Sequence, residues 1–143
     1  MAKRKDPIFS FRFLVEIDGL VHGGFQEIAG ISIEVDMESK KEGGLNEFEH
    51  HFIKGIKNSN LTLKRGMGVN KDLWKWFQKT CNAKPEEKNG SIHIQDTTGK
   101  TISTINFFNA FPIKWEGPAL NAQSSGIAIE SITLVHQGLD LVK

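Results

Sequence analysis

Cysteine is nearly missing from this sequence and tyrosine is missing altogether, with one Cys, Cys81, and no Tyr in 143 residues. A lone Cys makes no intrachain disulfide, so nothing in the sequence calls for an oxidising compartment. No apolar run is long enough for a membrane helix. Charge of one sign is also lacking: 18 Lys and Arg stand against 17 Asp and Glu, a net +1. A dedicated nucleic-acid binder would carry a strong basic excess. Three of the cations, Lys3, Arg4 and Lys5, sit at the start, and without them the rest has 15 basic and 17 acidic residues. These three resemble the basic end of a secretion signal. Asp6, Pro7, Arg12 and Glu16 then interrupt any apolar stretch, so the expectation is a chain without a signal peptide, made and assembled in the cytoplasm.

What is present reads as one globular unit. With 38% hydrophobic and 24% charged residues, the chain has the composition of a folded soluble protein rather than a disordered one. Its length suits a single domain over 1–143, with 1–7 as a flexible arm. There is no internal repeat or low-complexity tract.

Period-two patterning dominates. Phe9, Phe11, Phe13, Val15 and Ile17 occupy every odd position from 9 to 17, a strand with one buried face. Ile31, Ile33, Val35 and Met37 alternate with Ser32, Glu34, Asp36 and Glu38. That pattern predicts a strand over 30–38 with one dry face and one acidic face. Like charges along one face repel, so the acidic side needs water or a basic partner. From Ser39 to Asn46 the pattern vanishes around Gly43-Gly44, which reads as a loop or long hairpin tip. Phe48, His50 and Phe52 resume a strand that Gly55 is expected to break. Leu61 and Leu63 begin another, ended by Gly66 and Gly68.

One helix is predicted, over 70–80. Asn70 is a suitable N-cap, Asp72 suits the helix dipole, and Val69 and Trp74 occupy the positions of a hydrophobic staple. Leu73, Trp76, Phe77 and Thr80 form one stripe. Its length is about 16 Å, so it must lie on a sheet to be stable. A charged linker over 84–90 follows. Asp96-Thr97-Thr98-Gly99-Lys100 then predicts a three-residue hairpin loop with Gly99 left-handed, placing Ile94 opposite Ile102 and Ile92 opposite Thr104. Pro112 and Pro118 delimit a short segment around Trp115. The last strand, over 126–136, changes parity between Ile127 and Ile129 and Ile132 and Leu134, which predicts either two covered faces or a bulge near Glu130 and Ser131. The fold class is mostly β, a sandwich or small barrel with one short helix.

Chemistry is sparse. The five histidines, His22, His50, His51, His93 and His136, lack the spacing of a metal-binding pair, and no second Cys exists. Gly66-Met67-Gly68-Val69-Asn70-Lys71 lacks the Gly-Lys-Ser/Thr ending of a phosphate loop and reads as a strand-to-helix turn. No Gly-x-Ser-x-Gly elbow surrounds Ser124 and Ser125, and Cys81 has no base nearby in sequence. Glu86 and Glu87 read as a solvated linker face. Trp74, Trp76 and Phe77 sit at helical spacing, which marks core rather than a base-stacking platform. No catalytic, metal or cofactor site is expected, so the chain is read as a non-enzyme that meets other proteins. A monomeric β-barrel binding module is the alternative class.

Several segments, in order, carry a resemblance: Phe11-Arg12-Phe13-Leu14-Val15-Glu16-Ile17-Asp18-Gly19, Gly24-Phe25-Gln26-Glu27-Ile28-Ala29-Gly30, Glu42-Gly43-Gly44, Asn60-Leu61-Thr62-Leu63-Lys64-Arg65-Gly66, Leu73-Trp74-x-Trp76, Asn106-Phe107-Phe108-Asn109-Ala110-Phe111-Pro112-x-Lys114-Trp115-x-Gly117-Pro118 and Ile129-Glu130. The set resembles the tail tube proteins of contractile phage tails and of phage-tail-like contractile injection systems, and is similar to the haemolysin-coregulated protein of type VI secretion. The resemblance implies hexameric rings stacked into a rigid hollow tube, driven through a target envelope by sheath contraction and conducting protein cargo or DNA. It implies a sheath protein, baseplate or hub proteins and tube-terminating proteins as partners, and a place in a phage tail or a released injection particle. It also assigns the long loop over 39–48 to contact with the neighbouring ring. Lys40, Lys41, Glu42, Gly43, Gly44, Leu45 and Asn46 are then the stacking candidates. Many relatives carry an aromatic residue and an arginine before the glycine pair, where this chain has Ser39, Lys40 and Lys41. The acidic face, Glu34, Asp36 and Glu38, is the candidate lining of the lumen.

Overall fold

Alternating patterns become strands with few exceptions. The computed structural model describes residues 12–18, 21–22, 25–41, 49–68, 71–123 and 126–142. In chain order the elements are β1 (Arg12–Ile17), β2 (Val21–His22), β3 (Phe25–Ala29), β4 (Ile33–Lys41), β5 (Glu49–Asn58), β6 (Leu61–Gly66), α1 (Asp72–Cys81), β7 (Lys88–Gln95), β8 (Thr101–Glu116), β9 (Ile129–Val135) and β10 (Gly138–Leu141). Eight strands form one path, β2-β1-β7-β8-β9-β6-β3 with β10 beside β8, while β4 and β5 pair as a separate ribbon. Among the described residues the path does not close into a barrel. It folds over on itself at β8, the 16-residue strand, whose first part pairs with β7 and β10 and whose last part pairs with β9. The bend is at Asn109, held at φ +51°, a left-handed conformation that Asn tolerates better than most residues. Its Nδ2 donates to Gln137 Oε1 at 2.9 Å and its N–H donates to Asn89 Oδ1 at 3.0 Å.

Between the two layers Val15, Ile17, Ile92 and Phe107 meet Leu61, Leu63, Ile132, Leu134 and Phe25, with Leu73 and Trp76 of the helix closing one side. Val15 and Ile17 are buried on the predicted parity; Phe9 and Phe11 lie outside the described residues. The close approach of β7 to β8 requires glycine at Gly90, opposite Phe107. A Cβ there would stand 2.2 Å from the Phe107 ring. Gly90→Ala is therefore expected to displace that ring and cost about 1–3 kcal/mol, read as a lower urea midpoint at unchanged slope.

Five sequence expectations need correction. The helix begins at Asp72, and its cap position is Lys71, without a side-chain cap bond; Val69 and Asn70 lie outside the described residues. Gly55 does not end its strand. It sits beside a bulge, with Asp36 opposite Gly55 and Met37 opposite Ile53, so Lys54 is the extra residue and pairing continues. The turn at 96–100 forms as expected, with Gly99 at φ +89° and its N–H bonded to Asp96 O at 3.1 Å. The register beyond it slips by one: a bulge between Ile94 and Gln95 sets Ile94 opposite Ser103 and Ile92 opposite Ile105. The slip moves Ile105 to the core face and lets His93 Nδ1 meet Thr104 Oγ1 at 3.1 Å on the polar face. Pro112 does not delimit a segment. It is buried inside β8, opposite Leu134, where a register shift before Lys114 accommodates its missing N–H. Finally, β9 has neither two covered faces nor a bulge against β6, and its inward positions are Glu130, Ile132 and Leu134. The apparent change of parity arises because a glutamate takes a core-facing position.

Candidate assembly surface

The β4–β5 ribbon is the largest departure from a self-sufficient fold. Nine residues of β4, about 30 Å of strand, run antiparallel to β5 from Ile33 opposite Asn58 to Lys41 opposite Glu49. Among the described residues neither strand pairs with the sandwich. An isolated two-stranded ribbon is marginal in water and presents two unpaired edges.

The expected alternation holds, but the apolar face is not dry. Ile33, Val35 and Met37 share that face with Ile53 and Ile56, because directly opposed residues point the same way. All five are exposed, from 47% for Met37 to 74% for Ile53. A contiguous apolar strip of this kind on a monomer marks a surface built to be covered. The face is dry only if a partner makes it so. The opposite face carries Glu34, Asp36 and Glu38. Lys57, opposite Glu34, lies 3.5 Å from Asp36, and Phe52 stands opposite Glu38. The three predicted lumen candidates thus do share one face. Farther out, Ser39 Oγ lies 3.0 Å from His51 Nδ1. Lys40 and Lys41 belong to β4, opposite His50 and Glu49, rather than to the loop. Glu42, Gly43, Gly44, Leu45 and Asn46 lie outside the described residues.

At the far end of β6 is a cluster that periodicity concealed. Arg65 is buried at the inward position after Leu61 and Leu63. Its Nε donates to Glu130 Oε1 at 2.7 Å and its Nη2 donates to Asp72 Oδ1 at 2.5 Å. Trp115 Nε1 donates to Glu130 Oε2 at 3.1 Å, and the guanidinium lies 5.7 Å from the centre of the Phe25 ring. Burial disfavours the Arg65 charge, yet its hydrogen bonds to Glu130 and Asp72 and their negative charges outweigh it, so its pKa is raised. One cation between two carboxylates ties β6, β9 and the first turn of α1 together. Above it opens a cavity of about 260 Å³ lined by Met67, Gly68, Lys71, Trp74, Trp115 and Glu130. Trp74 meets Trp115 edge to face at 4.9 Å, and Met67 and Ile127 are exposed beside it. Ile127 and Met67 adjoin through the Met67 N–H to Ala128 O bond. The available signal for this cluster was a charged residue on the buried parity in both β6 and β9.

Among the described residues no set of three His, Cys, Asp or Glu side chains is placed to hold a metal ion. Among them also, no helix is long and apolar enough to cross a membrane.

The family model of the T4-like virus tail tube protein gp19 matches residues 9–140. The chain belongs to this tail tube family. Solved structures share its fold. A chain of the sheath–tube complex of PVC, an extracellular contractile injection system, in the extended state is 25% identical, with 96% of this chain and 93% of that chain covered and a TM-score of 0.85. A chain of the anti-feeding prophage baseplate, 6-fold symmetrised, is 20% identical, with 99% and 97% covered and a TM-score of 0.79. Hcp1 from Flavobacterium johnsoniae is 12% identical, with 90% and 93% covered and a TM-score of 0.63. No curated protein sequence matches the chain. A tail tube protein is a structural component, and the ribbon and the opposite apolar mouth are its candidate contacts with other copies.

Proposed function

We propose that the chain is the inner-tube subunit of a contractile injection particle. Six copies form a ring, rings stack into a rigid hollow tube, and contraction of a surrounding sheath drives the tube with its cargo through a target envelope. The observation that carries this reading is the exposed apolar face of the ribbon in a member of the tail tube family. A second copy would cover it, and the ribbon and the Met67–Ile127 mouth are different surfaces at opposite ends of β6. A contact between unlike surfaces is heterologous: it gives rings where rotation closes and filaments where it does not. Likeness to a chain of an extracellular injection system, at 25% identity, favours an injection particle over a phage tail. Neighbours solved with sheath, baseplate and tube terminator support the same kinds of partner here, and a place in a released particle. The role is structural rather than enzymatic, and it uses no cofactor. Glu34, Asp36 and Glu38 line the lumen, and Lys40 and Lys41 at the end of β4, with Glu42, Gly43, Gly44, Leu45 and Asn46 after them, reach the next ring.

Negative-stain electron microscopy of the purified chain tests the proposal, with hollow six-fold tubes expected. A strict monomer at high concentration would instead favour a small binding module. Deleting 40–46 is expected to leave folded rings or protomers and abolish long tubes. Tubes of normal length from that variant would remove the loop from stacking.

A further inference from the structure

The ribbon joins the sandwich through two short connections, 30–32 and 59–60, and these touch. Gly30 has φ +89°, and a Cβ on it would stand 2.0 Å from Asn60 O, so the two backbones pack directly. One backbone bond crosses between the connections, Ser59 N–H to Ser32 O, and at 3.3 Å it is long. A third group completes the junction. His136, immediately after β9, brings Nε2 to 2.8 Å from Ser59 O. A carbonyl oxygen only accepts, so the ring carries its proton on Nε2 and donates. The other ring nitrogen is buried without a partner among the described residues, as is Asn58 Oδ1 in the last residue of the ribbon.

We infer that this junction is a clamp that sets the angle of the ribbon, with His136 as the positioning residue that pins it to the sandwich. Burying an unpaired Nδ1 is unfavourable, and an aliphatic side chain would fill the same space without that cost. What histidine adds is the directed bond to Ser59 O, in the connection between ribbon and body. The angle matters because the ribbon is a lever: over about 30 Å of strand, ten degrees at the root moves the far end by about 5 Å. Surfaces that must meet a second copy lose their register at that displacement, so the clamp preorganises the ribbon for assembly. Its role in assembly rests on the tube reading, whereas the clamp itself does not.

Hydrogen exchange read by mass spectrometry, below the concentration at which tubes form, tests it with His136→Leu and His136→Gln. Loss of one neutral hydrogen bond is expected to speed exchange in 33–41 and 49–58 about five- to tenfold, with β7 and β8 unchanged. Glutamine, whose amide nitrogen still donates, is expected to restore rates to within about twofold. Wild-type ribbon exchange in His136→Leu, an equal loosening of β7 and β8, or failure of glutamine to rescue overturns the inference. Should the leucine variant not fold, His136→Asn gives the same readout, because its shorter side chain places the amide out of reach of Ser59 O. Exchange is read whether or not tubes form, so failure of the clamp and failure of the tube reading are distinguishable.

Discussion

Ile53→Asp combined with Ile56→Lys is expected to abolish tube formation while leaving the protomer's melting temperature within a few degrees of wild type. Both side chains are exposed, at 74% and 67%, so in the free chain the change is a surface substitution with a small effect on folding. The pair also leaves net charge unaltered. In an assembled tube the same positions would be covered, and each new charge would lose its water without a matched partner. A penalty of about 3 kcal/mol per copy lowers the association constant by more than 100-fold, and every copy carries it. Sedimentation and electron microscopy measure the loss, and a thermal melt serves as the control for folding. Normal tubes from this variant would place the apolar face of the ribbon outside the subunit contacts and return Ile33, Val35 and Met37 to the status of incidental exposure.

The largest expected effect on folding comes from Arg65→Met. Removing the guanidinium strands two carboxylates, Glu130 and Asp72, in a site where their side chains are 5% and 12% exposed. Breaking a buried ion cluster from one side costs about 3–5 kcal/mol, which for a chain of this size lowers the melting temperature by roughly 10–20 °C. Replacing the whole cluster, Arg65→Met with Asp72→Ala and Glu130→Leu, removes the stranded charge and is expected to recover about half the loss. Recovery is incomplete because Trp115 Nε1 then loses its acceptor. If Arg65→Met melts within about 3 °C of wild type, the cluster does not hold α1 and β9 together.

How much was legible in advance depends on whether a pattern is local. The core parity of β1, Leu61 and Leu63 in β6, the helix stripe of Leu73 and Trp76, and the left-handed Gly99 turn follow from neighbours within a few residues, where sterics and amphipathicity act directly. The misreadings share one origin. A bulge or a bend changes which residues oppose one another, and its cause lies on a partner strand. Gly55 looked like a stop because a glycine weakens a strand alone, yet β4 holds it in register. Pro112 looked like a boundary because its missing N–H disrupts a ladder, yet the shift against β9 removes the need for that donor. Arg65 and Glu130 gave no local sign of a shared site, because each is unfavourable in a core by itself; together, and with Asp72, they satisfy one another across 65 residues of chain.

The same division applies to the assembly surface. Sequence alone determined that one strand would carry apolar residues on odd positions and Glu34, Asp36 and Glu38 on even ones, since side chains alternate across any strand. It also determined the family resemblance, through motifs spread along nearly the whole chain. Only tertiary structure decided that this strand leaves the sandwich, that its apolar face stays exposed, and that Gly30, Ser59 and His136 hold its root. Alternation states which residues share a face. Whether that face meets a core, water or another copy depends on which strands pair, and pairing is settled by contacts far apart in the chain.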